Sequence, residues 1–93
     1  MIVKARKKPV VISAVQYTGE NFIELQEFVE AVFCNAKPDG TVEVYEYILG
    51  QWQVVPVGSF VIKGTKGEFY ACSPEVFENI YDIIDESAAD AAF

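Results

Sequence analysis

The sequence predicts an α+β fold: an antiparallel sheet of about five strands with two helices packed on one face, in the order β-α-β-β-β-β-α. Three observations predict it. Short β-branched or aromatic runs alternate with glycine- and proline-marked reversals through the middle of the chain. Two segments with apolar residues at three- and four-residue steps stand on either side of that region. No linker, repeat or low-complexity tract divides the 93 residues. A chain of this length makes one domain, which buries about 60–65% of the surface its unfolded form exposes. Residues 1–85 are therefore expected to form one compact unit, with 86–93, rich in Ala and acid, as a frayed tail.

The first element is the run Val10-Val11-Ile12-Ser13-Ala14-Val15-Gln16-Tyr17, a strand entered through Pro9. Thr18-Gly19-Glu20-Asn21 ends it, and Asn21 followed by Glu24 fits a capping box that starts a helix. Phe22, Leu25, Phe28, Val29 and Val32 form its apolar stripe, and Glu24, Glu27 and Glu30 its solvent side. Lys37-Pro38-Asp39-Gly40 is a turn by residue chemistry. Strands Thr41 to Leu49 and Gln51 to Val55 follow as a hairpin reversing at Gly50. After the interruption Pro56-Val57-Gly58-Ser59, Phe60 to Lys63 resumes as a strand, Gly64-Thr65-Lys66-Gly67 reverses it, and Glu68 to Ala71 returns. Ser73 as N-cap and Pro74 at the first helical position open a second helix. Its stripe is Phe77, Ile80, Tyr81 and Ile84, and Glu75 suits the dipole at its N-terminus.

Composition narrows the function. The apolar fraction is 52% and 13 of 93 residues are Phe, Trp or Tyr, more than one thin core needs. The surplus points to a subunit interface or a ligand surface, so a homo-oligomer is expected. The net charge of −7 argues against a nucleic-acid polymer, whose binders carry a basic footprint. The basic residues are nonetheless clustered, at Lys4, Arg6, Lys7 and Lys8 and again at Lys63 and Lys66. If the fold unites these groups, one face is locally positive and suited to a small anion. No apolar stretch is long enough to span a bilayer, and two isolated cysteines without a leader read as reduced thiols. The expected location is the cytoplasm of a bacterial host cell.

Chemistry is mostly excluded by what is missing. Without histidine there is no Ser-His or Cys-His nucleophile pair and no His-ligated metal. Cys34 and Cys72 lie 38 positions apart, which is no zinc spacing. The acids alternate with apolar residues as on solvated faces, and no cofactor is implied. The Gly64-x-x-Gly67 loop, flanked by Lys63 and Lys66 and followed by Phe69-Tyr70, reads first as a hairpin turn. As a phosphate-holding loop it lacks the usual helix behind it. Basic charge beside aromatic faces is still what a nucleotide-sized ligand uses. Tyr45, Tyr47 and Trp52 read as ordinary sheet residues, and Cys72 as a buried structural thiol.

The stretch Arg6-Lys7-Lys8-Pro9-Val10-Val11-Ile12 with Ala14-Val15-Gln16-Tyr17-Thr18-Gly19 resembles the opening of a family of small phage and prophage proteins. Val61-Ile62-Lys63-Gly64, Lys66-Gly67-Glu68-Phe69-Tyr70, Cys72, Pro74, Phe77-Glu78 and Tyr81 match that family's second half. The chain departs from the pattern at Ser13 for a Glu, at Val57-Gly58-Ser59-Phe60 for P-G-D-[WY], and at Ala71 for a Pro. The resemblance implies a phage accessory protein and brings no activity with it. The order of elements and the Gly67-Glu68-Phe69-Tyr70 segment are also similar, more distantly, to the anti-Thoeris sponge proteins of phages.

Two functions follow. The first is a binding protein without catalysis, a protein–protein interaction module whose apolar, aromatic surface meets a protein partner. The second is a homo-oligomeric sponge that sequesters cyclic-nucleotide or cyclic ADP-ribose-type immune signals. In it Arg6, Lys7, Lys63 and Lys66 neutralise phosphate, while Tyr17, Phe69 and Tyr70 stack on or wall the base. The two differ in whether the segment from Lys63 to Tyr70 lines a concave polar pocket.

Overall fold

A computed structural model describes residues 1–6 and 8–84; the expected tail at 86–93 lies outside them. The elements are β1 (Ser13–Gln16), α1 (Phe22–Val29), a 3-10 turn (Ala31–Phe33), β2 (Cys34–Ala36), β3 (Val42–Glu46), β4 (Gln51–Val54), β5 (Phe60–Lys63), β6 (Phe69–Cys72) and α2 (Pro74–Ile80). The fold is α+β, but the strands form two antiparallel sheets of three, ordered β1-β5-β6 and β2-β3-β4. One sheet of about five strands is therefore corrected to two smaller ones. The cause lies after β4, where Gly58 adopts φ +95° and the Ser59 amide donates to the Pro56 carbonyl at 3.0 Å. This reversal sends β5 back to pair with β1, Ser13 opposite Lys63 and Gln16 opposite Phe60, instead of continuing beside β4.

Alternation along the first sheet gives it two buried faces. Val61 and Phe69 turn inward with half-buried Val15 and Ala71, and meet Leu25 and Val29 of α1 and Val42, Val44 and Val55 of the second sheet. The residues between them, Phe60, Ile62, Tyr70 and Cys72, turn the other way toward α2. There the Phe60 ring stacks on Phe77 with centroids 3.8 Å apart. The helices thus cover opposite faces of the first sheet, not one face of a common sheet. Only Phe77 of the expected α2 stripe is buried; Ile80 and Ile84 are exposed. The α1 stripe ends at Val29, because Glu30 adopts φ 78° and a left-handed residue stops the helix. Val32 is left exposed.

The helix caps differ from each other. Ser73 Oγ accepts from the Val76 amide at 3.3 Å as expected. Asn21 forms no such cap. Its Oδ1 accepts from the Thr18 amide at 2.8 Å, while its Nδ2 donates to the Gln16 carbonyl and to Glu24, each at 2.8 Å. Asn21 therefore ties α1 to the end of β1.

Backbone hydrogen bonds define the sheet edges. The Tyr17 amide donates to the Ser59 carbonyl at 2.9 Å, so odd-numbered residues of β1 turn their polar groups to β5 and even-numbered ones turn theirs outward. On β6 the outward amide of Ala71 is taken by Gln53 Oε1 of β4 at 2.9 Å. A side chain closes the seam between the sheets there, where a ladder bond would otherwise run.

Candidate binding surfaces

The reversals are closed by the chain's own acids. Asp39 Oδ1 accepts from the Thr41 amide at 2.8 Å, a bond that holds its carboxyl below the usual aspartate value. The Glu46 oxygens accept from the Ile48 and Leu49 amides at 2.6 and 3.1 Å. Glu68 Oε1 accepts from the Lys66 amide at 3.0 Å, and the Lys66 carbonyl accepts from the Tyr47 hydroxyl. A Cβ at Gly64 would stand 2.3–2.6 Å from the Glu68 carboxylate, so the glycine makes the space this carboxylate occupies. Backbone amides in a turn are what an anion-binding nest offers. In the Gly64–Gly67 reversal an internal carboxylate already holds that place.

The residues expected at a ligand site are dispersed. Lys63 and Lys66 sit at the same reversal with both side chains exposed. Arg6 is exposed on the segment ahead of β1, which has no regular structure, and Lys7 lies outside the described residues. Tyr17 is 7% exposed and Phe69 6%, both in the core. The Phe69 ring meets Phe28 edge-on with centroids 5.6 Å apart. Tyr70 falls on the opposite face of β6 by alternation. The fold brings Lys63 and Lys66 together but does not gather Arg6, Tyr17, Phe69 and Tyr70 around them.

Tyr70 instead lines an open cleft of about 380 Å³ between β6 and α2, with Ile62, Cys72, Val76, Ile80 and Tyr81. Burial, helped by a hydrogen bond with Tyr81, pushes the Tyr70 hydroxyl up to about 12. Burial also pushes the Cys72 thiol up. Both shifts favour the neutral forms of these groups, and the residues lining the cleft include no Lys or Arg. Cys72 is half-buried, not fully buried, and both cysteines are free. Among the described residues no group of three or more His, Cys, Asp or Glu is placed to hold a metal ion.

The surface that sequence reasoning passed over is the outer face of the second sheet. Tyr45 and Trp52 are directly opposite in the β3–β4 register, with ring centroids 5.3 Å apart and planes at 63°. The 3-10 turn sets Phe33 in a stack on Tyr45, centroids 6.3 Å apart. Trp52 is 44% exposed and Val54, two residues along the same face, 54%. Beside this apolar row Glu43 is buried but satisfied, by Asn35 Nδ2 at 3.2 Å and Lys37 at 3.7 Å. The expected reversal at Gly50 would have set Trp52 opposite Ile48; the turn instead spans Tyr47 to Gly50, with Glu46 opposite Gln51, and that register places Tyr45 opposite Trp52.

Against known proteins, no family model matches the chain, and no curated protein or solved structure matches it significantly. Among the described residues no helix is long and apolar enough to cross a membrane.

Proposed function

We propose that this protein acts by binding, without catalysis, as a protein–protein interaction module. From its sequence resemblance, we propose further that it is a phage or prophage accessory protein. The observation that carries the reading is the row Phe33–Tyr45–Trp52 with Val54 on the uncovered face of the second sheet. Trp and Tyr dominate interface hot spots because each buries a large rigid surface at little entropic cost and keeps one polar handle. Here the Tyr45 ring buttresses Trp52 from one side and Phe33 buttresses Tyr45, so the indole is held for a partner before contact. Pre-ordering of this kind reduces what association would otherwise lose in side-chain freedom. A catalytic reading has little to stand on, since the chain has no histidine and the shifts in the cleft favour the protonated forms of its groups.

The sponge reading asks Lys63 and Lys66 to hold phosphate beside aromatic walls. The Glu68 carboxylate in their turn and the burial of Tyr17 and Phe69 favour the protein-partner reading over it. The test is capture of stoichiometric protein from host-cell lysate by the tagged chain and by its Trp52→Ala variant. The wild type is expected to retain a partner that the folded variant loses. Equal capture by both chains would move the binding surface elsewhere.

A further inference from the structure

Among the described residues, the segment ahead of β1 is the part least engaged with the rest. Met1, Ile2, Val3, Val10 and Val11 are exposed, Ile2 at 99%. Among the described residues the ion pair present is Lys37–Glu43, so Lys4, Arg6 and Lys8 meet no carboxylate. Four of the seven basic residues and none of the fourteen acidic ones lie in residues 1–12. That arm carries +4, while residues 13–93, with three basic against fourteen acidic, stand at −11. The arm leads directly into β1, which has β5 on one side and, among the described residues, no strand on the other.

The open side of β1 has a definite polarity. The even-numbered residues turn their backbone groups that way, as the Tyr17–Ser59 bond fixes. The outward carbonyl of Gln16 is taken by Asn21 Nδ2 at 2.8 Å. The N–H and C=O of Ala14 therefore face the open edge, a template for another strand. The same Asn21 bonds show what lies just past the end of that edge: Asn21 reaches Gln16 from the open side and holds Glu24 at 2.8 Å, with Glu20 its chain neighbour.

We infer that β1 and the arm ahead of it form an interface with a second copy of this chain. The two β1 strands pair antiparallel across a two-fold axis near Ala14, joining two three-stranded sheets into one of six. Antiparallel pairing runs each arm beyond Gln16 of the other copy, which carries Lys8 and Arg6 to that copy's Glu20 and Glu24. The charge division selects this occupant: a second copy is acidic where the arm is basic, and like-charged bodies are bridged by oppositely charged arms. A two-fold contact also uses one surface patch twice, so no second site is required. Pro9 is compatible with this arrangement, because its odd position puts its missing amide on the side away from the second copy. The interface uses neither Trp52 nor the outer face of β3 and β4.

Light scattering on the eluting full-length chain, at low ionic strength, tests this. The expected mass is about 21 kDa, twice the 10.4 kDa of one chain. Ala14→Pro removes an outward N–H and leaves the β5 ladder intact; Arg6→Glu with Lys8→Glu reverses the charge at those two positions and takes the arm from +4 to 0. Both variants are expected to elute as monomers with unchanged circular dichroism, and added salt should weaken the wild-type dimer as screening shortens to ~8 Å near 0.15 M. A monomeric wild type at low salt, or a dimer that survives in the variant with Arg6→Glu and Lys8→Glu, would overturn the inference. Should Ala14→Pro fail to fold, the variant with Arg6→Glu and Lys8→Glu decides, since Arg6 and Lys8 are exposed.

Discussion

The first sheet is covered on both faces, by α1 through Leu25 and Val29 and by α2 through Phe77. The second is covered on one, and leaves Tyr45, Trp52 and Val54 on the other. Both are three-stranded and antiparallel, so the difference is not one of backbone design. It lies in where the helices fall. An antiparallel sheet can leave one face to water, but that face is then ordinarily polar. The second sheet places a tryptophan, a tyrosine and a valine there. Apolar surface of this kind on the less covered element marks where a molecule meets others. On the proposed reading, both faces of the first sheet are used in packing, while the outer face of the second is left for a protein partner.

The largest effect that would sharpen this contrast is on stability. Leu25→Ala empties the position where α1 fills the space between the sheets, and should cost about 2–5 kcal/mol in chemical denaturation. Trp52→Ala removes a half-exposed ring in edge contact with Tyr45, and should cost no more than about 1 kcal/mol. Comparable losses from the two would make the outer face part of the core and end the distinction.

A smaller effect belongs to the second face of the first sheet. The Tyr70 hydroxyl titrates near 12 in the folded chain, against an ordinary value near 10. The folded state thus keeps a proton that the unfolded chain loses first. This contribution is fully present below about pH 10 and is lost as pH rises toward 12. The urea midpoint should fall over that window, and Tyr70→Phe should flatten the fall. A midpoint as steep in Tyr70→Phe as in the wild type would place the alkaline sensitivity elsewhere.

Most local structure was legible in the residues. The spacing of Leu25 and Val29 and Ser73-Pro74 at the start of α2 each correspond to a single physical preference, and each appears where expected; the tight reversal expected at Gly50 is instead a turn from Tyr47 to Gly50, so β3 ends at Glu46 and not at Leu49. What was not legible depends on contacts distant in sequence. The strand from Val10 to Tyr17 is trimmed to Ser13–Gln16 because β5 offers only four residues to pair with it. The strand at Cys34–Ala36 carries no alternating pattern and exists because β3 recruits it. Alternation within one strand tells which residues share a face, but not which strand lies alongside, so two sheets read as one. The same gap explains why the expected site residues are not gathered in one place. Phe69 and Tyr70 are adjacent to basic residues in sequence, yet β6 turns one into the core and the other into the α2 cleft. The acids of the turns were read as solvated charge, whereas Asp39, Glu46 and Glu68 each bind turn amides.

The chain has one tryptophan, and it stands at the centre of the proposed contact surface. Its fluorescence, recorded while the captured partner is titrated in, therefore tests the central claim most directly. The account predicts a blue shift that saturates at stoichiometric partner, as the indole leaves water. An emission maximum that stays fixed while binding is independently observed would place the contact away from the second sheet and contradict the account.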